Sequence, residues 1–339
     1  MTKRATMNDI ALQAGVSQAT VSLVLNEVPN ARVSKETRDR VQAIAGTMGY
    51  ARRGGVNPAA DVRLIGLLID DVTATPFAAP LIKGARDQAA LSGCLVATFV
   101  TGGNRATEDA ALQVLQASRL VGVLYASLVT RLVSPPERLM QLPTVLLNCH
   151  DKSHAFPTVT PGDVTGAIAA TEVLIGAGHR RIAHLHGESW GEAARDRTLG
   201  YRRALTSADI AFDPALLEGP AWTVASGRDA TLRLLDLPDP PTAIFCFNDR
   251  VAIGCYEALA MRGLRVPQDM SVMGFDDDDL VANLQPPLST MVLPHDEMAR
   301  WAVARLLERQ EGAQLQPQRV KVECEPVLRA SVAHPRRGD

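Results

Sequence analysis

The stretch TMNDIALQAGVSQATVSLVLN, residues 6–26, decides the fold of the first part of this chain, because it predicts two short helices joined by a tight turn. Thr6 stands three residues before Asp9, which is the spacing of a capping box at the start of a helix. Gly15 accepts the positive φ that such a turn often needs, and Ser17 is a good N-cap for the second helix. The stretch therefore predicts a helix, a turn and a second helix in close succession.

A third helix is predicted to follow this pair. Ser34 is placed to cap it, and Val41, Ile44 and Met48 recur along it at helical spacing. Three short helices with a tight turn between the first two form a helix-turn-helix, whose second helix lies in the major groove of DNA. A small three-helix bundle used for protein contacts is the alternative on pattern alone. Residues 51–62, ARRGGVNPAADV, are predicted to be a linker, because two glycines and a proline interrupt them.

The side chains of the second helix indicate how it would contact DNA. Gln18 suits adenine, and Ala19 or Leu23 suits a thymine methyl group, while hydroxyl groups suit phosphate oxygens. The residues expected to contact DNA are Thr6, Ser17, Gln18, Ala19, Thr20, Ser22, Leu23, Asn26, Arg52 and Arg53. The first 55 residues carry eight Lys and Arg against four Asp and Glu, although the whole chain has a net charge of −2. A basic head on an acidic body suits a module that meets a polyanion.

From residue 64 onward, short apolar runs alternate with helical segments. The runs LIGLLID, CLVATFV, VGVLYA, PTVLLN, RIAHLHG, TAIFCFN and SVMGFDD predict strands. Helical stretches are predicted at 163–177, 195–208, 226–236 and 249–262. This alternation predicts parallel sheets with helices on both faces. The strands are too many for one sheet of typical size, so two α/β lobes are expected.

Composition narrows the class of protein. Hydrophobic residues make up 46% and charged residues 21% of the chain, as in ordinary globular proteins. No apolar run reaches the roughly 18 residues of a membrane span, and no signal-peptide pattern opens the sequence. Five cysteines are scattered without a C-x-x-C pair, which favours reduced thiols and a cytoplasmic protein. His184 and His186 lack a third ligand at metal spacing, and no nucleotide-binding glycine motif occurs, so neither metal nor other cofactor is expected.

The head resembles that of the lactose-repressor (LacI/GalR) family of bacterial transcription regulators, whose heads run T-x-x-D-(I/V)-A-x-x-A-G-V-S-x-x-T-V-S-x-x-L-N. Residues 6–26 fit this pattern, and the later V-S-x-x-T-R-x-x-V and G-Y also match. The resemblance continues along nearly the whole chain. It implies a periplasmic-binding-protein-like core of two lobes with the ligand in the cleft between them. It also implies a homodimer on a near-palindromic operator, a small-molecule effector such as a sugar, and a role as a repressor of a metabolic operon.

The resemblance sets the expected boundaries and shows two departures. The expected parts are a DNA-binding head over 1–50, a linker or hinge over 51–62, and a core over 63–339, with lobe 1 at about 63–160 and 290–319 and lobe 2 at about 161–289 and 320–335. Leu23 stands where many members have Arg, so no hydrogen bond to guanine is expected there. The linker lacks the Pro-Asn start of the family's hinge helix, and its glycines disfavour a helix.

Four positions match the effector contacts of the family, namely Arg197, Trp222, Asn248 and Asp276. An Arg fork, an aromatic plate, an amide and a carboxylate together suit a polyhydroxylated ligand such as a sugar. Further contacts are expected from the strand ends and loops of the first lobe, at Asp70, Thr75, Phe77 and Asn148. The alternative for any one of these residues is a structural cap or salt bridge.

An enzyme is the strongest competing interpretation. Residues 187–191 spell G-x-S-x-G, the nucleophile elbow of α/β hydrolases, with Ser189 as the candidate nucleophile. Asp276 and His295 follow it in the order of a catalytic triad. The motif carries little information, and no Gly-rich oxyanion loop precedes it. A regulator without catalytic residues is therefore the favoured interpretation.

Overall fold

The computed structural model of the protein describes residues 6–25, 33–48, 62–73, 77–308 and 315–336. The chain divides into two compact units, Met1–Val62 and Arg63–Asp339. Asn26, Arg52, Arg53 and Thr75, which the sequence analysis singled out, lie outside the described residues, as does the predicted linker up to residue 61.

Three helices are described in the first unit, α1 Met7–Ala14, α2 Gln18–Leu25 and α3 Lys35–Thr47. The predicted capping box is present, since the Thr6 backbone N–H donates to Asp9 Oδ2 at 2.8 Å and the Asp9 N–H donates to Thr6 Oγ1 at 3.3 Å. Gly15 ends α1 in the left-handed conformation at a φ of 63°. A Cβ-bearing residue rarely adopts that conformation, so the glycine makes the sharp turn into α2 possible.

The first unit has its own small apolar core. Val21 and Val24 of α2 are fully buried. The core is completed from α1 and α3, by Ile10, Ala11, Ala14, Val41 and Ala45. One face of α2 is therefore fixed by packing, and the opposite face is left for contacts outside the unit.

The second unit is built on two parallel sheets. The larger is six-stranded, in the order β11-β5-β4-β3-β1-β2, and the smaller is four-stranded, in the order β7-β6-β8-β9. The strands of the larger sheet are β1 Arg63–Ile69, β2 Cys94–Val100, β3 Arg119–Val133, β4 Thr144–Asp151, β5 Thr158–Pro161 and β11 Arg319–Val322. Those of the smaller are β6 Ile182–Leu185, β7 Leu217–Glu218, β8 Ala243–Cys246 and β9 Ser271–Met273. A short antiparallel pair, β10 Thr290–Met291 and β12 Pro326–Val327, adds a third sheet.

Helices cover both faces of each large sheet. The helices of this unit are α4 Ala78–Ala90, α5 Arg105–Gln116, α6 Asp163–Gly176, α7 Glu192–Ser207, α8 Val224–Leu235, α9 Asp249–Met261 and α10 His295–Leu307. In lobe 1, α4 and α10 pack on one face of the six-stranded sheet and α5 on the other. In lobe 2, α8 and α9 cover one face of the four-stranded sheet, and α6 and α7 cover the other. The predicted fold class, a helix-turn-helix head with a two-lobed α/β core, is confirmed.

Within the described residues, the chain passes between the lobes three times. The first passage lies between Pro161 of β5 and the start of α6. The second lies later than expected, because Met291 still packs in the lobe 2 core and the chain joins lobe 1 only with α10. The third also lies later, because β11 pairs with β5 through Val322, so 320–322 belong to lobe 1 and not to lobe 2. Lobe 1 therefore extends beyond its predicted boundary, because the short edge strand β11 pairs in parallel with β5.

Candidate functional site

The exposed face of α2 is the first candidate site. Gln18 and Ala19 are exposed, and the side chain of Leu23 retains 37% of its accessible surface. Leu23 follows Ala19 by one helical turn, so the two lie on the same side of the helix. These are the three residues expected to contact base edges, and packing against the other helices leaves their face open.

The hydroxyl groups at the two helix starts already have structural partners. Ser17 Oγ accepts from the Thr20 backbone N–H at 3.1 Å and lies 2.9 Å from Thr20 Oγ1. Thr6 Oγ1 donates to Asp9 Oδ2 at 2.7 Å. Each hydroxyl therefore accepts from a backbone N–H that has no partner within the helix, or completes the cap of that helix. If Ser17 or Thr6 contacts a phosphate, the helix cap already orients its side chain. Ser22, the other serine of this set, is half-buried.

A cavity between the two lobes is the second candidate site. Six of the eight residues predicted to bind an effector line it, namely Phe77, Asn148, Arg197, Trp222, Asn248 and Asp276. The sequence analysis missed others that line it, among them Leu128, Thr130, Pro161, Asp163, Phe247, Leu293 and His295. Several of these residues follow a strand or begin a helix, as expected at the carboxyl ends of the strands of parallel sheets.

Arg197 of α7 is the centre of the cavity's polar groups. Its Nε donates to Asp163 Oδ1 at 2.8 Å, and its Nη1 donates to the Phe247 carbonyl oxygen at 2.6 Å. Nη1 also lies 3.5 Å from Asp276 Oδ1. The guanidinium carbon sits 3.6 Å from the ring centroid of Phe275, which places the cation over the π face. Packing, two carboxylates and a carbonyl thus hold this arginine in one place.

Burial governs the charges in this cluster. Burial raises the pKa of Asp163 and raises that of Asp276 well above 3.8, in both cases against the attraction of Arg197. Burial works against the charge of Arg197, but the two carboxylates outweigh it and leave the arginine pKa raised. Burial and the nearby Arg197 lower the pKa of His295 to about 3, so this imidazole is neutral at physiological pH.

Aromatic rings form one wall of the cavity. Trp222 lies with its ring centroid 5.2 Å from that of Phe247 and 6.3 Å from that of Trp190. On the side of lobe 1, Phe77 meets His295 edge-on at 5.7 Å. Flat apolar walls with a few convergent polar groups are typical of small-molecule sites.

The two asparagines of the cavity also hold the backbone in place. Asn148 Nδ2 donates to the carbonyl oxygens of Ser127 and Leu128 at 3.0 and 3.2 Å. Asn248 caps α9, since its Oδ1 accepts from the Val251 N–H at 2.8 Å while its Nδ2 donates to the Trp222 carbonyl oxygen at 3.2 Å. Both side chains therefore shape the walls of the cavity as well as line it.

Asp70 is not among the described residues that line the cavity. Its carboxylate pairs with Arg131 at 2.7 Å and accepts from Ser127 Oγ at 2.7 Å and from the Leu128 N–H at 2.8 Å. It lies at the expected strand end, but its side chain fixes the segment that carries Leu128 to the cavity wall. This is the structural salt bridge that the sequence analysis kept as an alternative.

The geometry separates the three members of the candidate hydrolase triad. Ser189 is exposed and lines a surface pocket with His186 and Arg202, whereas Asp276 and His295 line the cavity between the lobes. A triad needs nucleophile and base within hydrogen-bonding reach of each other. The G-x-S-x-G match is therefore a surface loop in lobe 2.

The described residues contain neither a candidate metal site nor a membrane-spanning helix. No group of three or more His, Cys, Asp or Glu side chains among them could hold a metal ion. None of the helices described is both long and apolar enough to cross a bilayer.

The comparisons with known proteins agree with this architecture. The profile of bacterial regulatory proteins of the lacI family matches residues 6–53, and that of a periplasmic binding protein-like domain matches residues 171–332. The "Ribose operon repressor" of Haemophilus influenzae is 32% identical over 330 residues, covering 97% of this chain and 98% of that protein. The chain belongs to the lacI family of bacterial regulatory proteins.

Other relatives match over the same length. The "HTH-type transcriptional repressor CytR" of Escherichia coli is 33% identical over 332 residues, covering 96% of each chain. Among solved structures, the CelR–cellobiose complex has a TM-score of 0.65 at 27% identity, covering 97% of this chain and 100% of that one. The lac repressor dimer bound to operator and the anti-inducer ONPF has a TM-score of 0.66 at 26% identity, covering 98% of this chain and 100% of that one. The matches include both the head and the core.

Proposed function

We propose that this lacI-family regulator is a cytoplasmic repressor that binds a near-palindromic operator as a homodimer and is controlled by a small molecule in the cavity between its lobes. The observation that carries the proposal is the exposed face of α2. Val21 and Val24 are buried against the other helices, which leaves Gln18, Ala19 and Leu23 at the surface. A helix fixed on one side and open on the other meets the requirement for insertion into a major groove.

The homodimer and the repressor role have support among the relatives. The lac repressor in the solved complex is a dimer on its operator, and two relatives are named as repressors of transcription or of the ribose operon. The two half-sites of an operator would lie one helical turn of DNA or a multiple apart, as the two-fold symmetry of a homodimer requires. Catalysis has no place in the proposal, because the candidate triad is dispersed.

The effector is proposed to bind against Arg197, Asp276, Trp222, Asn248 and Phe77. CelR, which carries cellobiose in its solved complex, has the same fold over its full length. The carboxylate oxygens of Asp276 would accept from ligand hydroxyls, and the Trp222 ring would pack on the apolar face of a sugar ring. The effector is therefore proposed to be a sugar or a related metabolite.

Polar contacts across the cleft provide a route from ligand to DNA affinity. His150 Nε2 of lobe 1 lies 2.9 Å from Glu192 Oε2 of lobe 2, and Lys321 Nζ lies 3.5 Å from Asp196 Oδ2. A ligand that changes the angle between the lobes must remake these contacts. If binding of the effector changes the affinity of the protein for its operator by some factor, binding of the operator must change the affinity for the effector by the same factor.

The test begins with the full-length protein and random duplex DNA. Repeated selection is expected to yield a near-palindromic sequence that the protein retards in an electrophoretic mobility shift. Gln18→Ala is expected to weaken binding to that sequence by roughly 5- to 150-fold, since one good base contact is worth about 1–3 kcal/mol. Affinity should also fall steeply with salt, as several phosphate contacts require.

The matched control is Gln13→Ala, the same substitution at an exposed position of α1. It should bind the selected sequence within about twofold of wild type, since exposed substitutions usually change free energies by no more than about 0.5 kcal/mol. Selection that yields no sequence would refute the proposal, and so would equal losses for Gln18→Ala and Gln13→Ala.

A further inference from the structure

We propose that a surface pocket of lobe 2, between α7 and the loop 186–189, binds the phosphate group of a small phosphorylated molecule. This pocket is separate from the cavity between the lobes, since no residue lines both. The ligand would be a second one, and its binding does not depend on how the protein contacts DNA. The G-x-S-x-G loop, which takes part in no catalytic triad, forms one side of this pocket.

The side chains that line the pocket are basic, hydroxyl-bearing or apolar. The polar ones are His186, Ser189, Arg195, Thr198 and Arg202, and the others are Gly187, Ala194, Leu199 and Leu217. Among the described residues, no carboxylate lines the pocket. Arg195, Thr198 and Arg202 follow one another at spacings of three and four residues along α7, so they lie on one face of the helix. That face and the loop therefore bring two cations and two hydroxyl groups to the same recess.

Both arginines keep donors that the protein does not use. Arg195 Nη1 donates to the carbonyl oxygens of Ser189 and Trp190, whereas its Nε and Nη2 make no hydrogen bond or ion pair with a described residue. The side-chain nitrogens of Arg202 make none either within the described part of the chain. The hydroxyl groups of Ser189 and Thr198 also have no hydrogen-bond partner among the described residues. A ligand would therefore find four donor groups that need not leave a protein acceptor.

Contacts with the protein orient both arginines before a ligand binds. The guanidinium carbon of Arg202 lies 4.3 Å from the ring centroid of Phe212, which places the cation over the π face. The two carbonyl oxygens on Nη1 hold one side of the Arg195 guanidinium. Its Nε and Nη2 form the other side, a planar fork of the kind that binds two oxygens of a phosphate at once. Because both side chains are already held, binding costs less conformational entropy.

The carboxylates nearby in the sequence have partners of their own or lie outside the pocket lining. Asp196 of α7 pairs with Lys321 of lobe 1 at 3.5 Å, and Glu218, which follows Leu217, pairs with Arg233 at 2.6 Å. Glu188 belongs to the loop but does not line the pocket. The two arginines therefore keep their positive charge available to an anion.

The number of donors favours a phosphate monoester over other anions. A carboxylate offers two acceptor oxygens, whereas a phosphate group on a small molecule offers three, so it matches two arginines and two hydroxyl groups better. Leu199 and Leu217 give the carbon skeleton of such a molecule an apolar surface. A small ligand is favoured over the phosphates of DNA, because the core has more acidic than basic residues and would repel a long polyanion.

The experiment follows thermal unfolding of the full-length protein over a range of inorganic phosphate concentrations, with sodium chloride at matched ionic strength as the reference. A ligand of the folded state raises the melting temperature, and the concentration dependence gives the Kd. Wild type should show a rise that saturates. Arg195→Met and Arg202→Met should each weaken phosphate binding at least about tenfold, because each removes charge-assisted hydrogen bonds to the anion.

Arg203→Met is the matched control, because Arg203 is the next residue of α7, is exposed and does not line the pocket. It should bind phosphate within about twofold of wild type, and it corrects for the general stabilisation that phosphate gives as a salt. A rise in wild type that does not saturate would overturn the inference, as would equal losses for Arg202→Met and Arg203→Met. A response retained by both Arg195→Met and Arg202→Met would also overturn it, since phosphate would then bind elsewhere.

The double variant Arg195→Met/Arg202→Met separates a small phosphorylated ligand from the phosphates of DNA. It should lose the phosphate response and should keep the affinity of wild type for duplex DNA within about twofold in an electrophoretic mobility shift. Equal losses of both would assign the two arginines to DNA contacts and overturn the inference. A protein that selects no operator but shows the expected phosphate response would lose the proposed function and keep this pocket.

Discussion

Removal of Arg197 should destabilise the core severely, and the structure gives the size of the effect. In Arg197→Met, Asp163 and Asp276 lose their cation while they remain buried, at 2% and 9% of their accessible surface. Breaking a buried ion pair by removing one partner costs about 3–5 kcal/mol, because the remaining charge has no compensation. We expect a loss of this size in the free energy of unfolding at pH 7.5, measured by urea denaturation of the full-length protein at fixed concentration.

The pH dependence of that loss distinguishes charge from packing. The pKa values of Asp163 and Asp276 are already raised, and loss of Arg197 raises them further. A carboxyl group whose folded pKa is raised is tolerated when protonated at low pH and costs stability as the pH rises through that pKa. The deficit of Arg197→Met should therefore shrink between pH 7.5 and pH 5, and the triple variant that adds Asp163→Asn and Asp276→Asn should recover much of it.

Arg195→Met is the matched control on the same helix. Arg195 is exposed, and among the described residues it donates to the carbonyl oxygens of Ser189 and Trp190, at 3.2 and 3.3 Å. Its replacement should cost no more than about 0.5 kcal/mol. A loss below about 1 kcal/mol for Arg197→Met, or one that does not change with pH, would refute the idea of a buried charge cluster.

Three other substitutions test the packing of the core and head. Burial lowers the pKa of His184 to about 3, so below its unfolded pKa of about 6.5 only the unfolded chain takes the proton, and stability falls with pH. His184→Phe should therefore lose about 2 kcal/mol less than wild type between pH 7.5 and pH 5 in urea denaturation, and an unchanged pH dependence would contradict this. A Cβ at Gly254 would lie 2.0 Å from the Val224 carbonyl oxygen, so Gly254→Ala should lower the melting temperature of the core. Gly46→Ala in α3 has open space and should stabilise the head by about 0.5–1 kcal/mol in calorimetry; equal effects of the two alanines would contradict the packing argument.

The elements that the sequence predicted well are those whose signals are local. The capping box at Thr6, the left-handed Gly15 and the cap at Ser34 each depend on residues a few positions apart. The four helical stretches expected in lobe 2 begin within three residues of α6, α7, α8 and α9. The apolar strands flanked by helices were predicted equally well, because a strand that is buried on both faces of its sheet has a continuous apolar run.

The parts that the sequence did not reveal depend on distant pairings. Asp163 lies 34 residues before Arg197, and nothing local marks it as the partner of that arginine. His295 reaches the cavity only because α10 returns to lobe 1 after the second passage between the lobes. Asp70 was placed at the correct edge of the sheet, but the direction of its carboxylate depends on Arg131, 61 residues later.

The stacked tryptophans of lobe 2 make the protein its own optical reporter. Of the three tryptophans in the chain, Trp190 and Trp222 stack at the cavity and Trp301 lies in α10, so the head has none. Trp190 is 63% exposed and stacks on Trp222, which lines the cavity, so its emission is expected to change when a ligand contacts Trp222. The tryptophan fluorescence of the full-length protein therefore comes from the core alone. Ligand entry and its consequences for DNA binding become two separate signals, one read from tryptophan and one from labelled DNA.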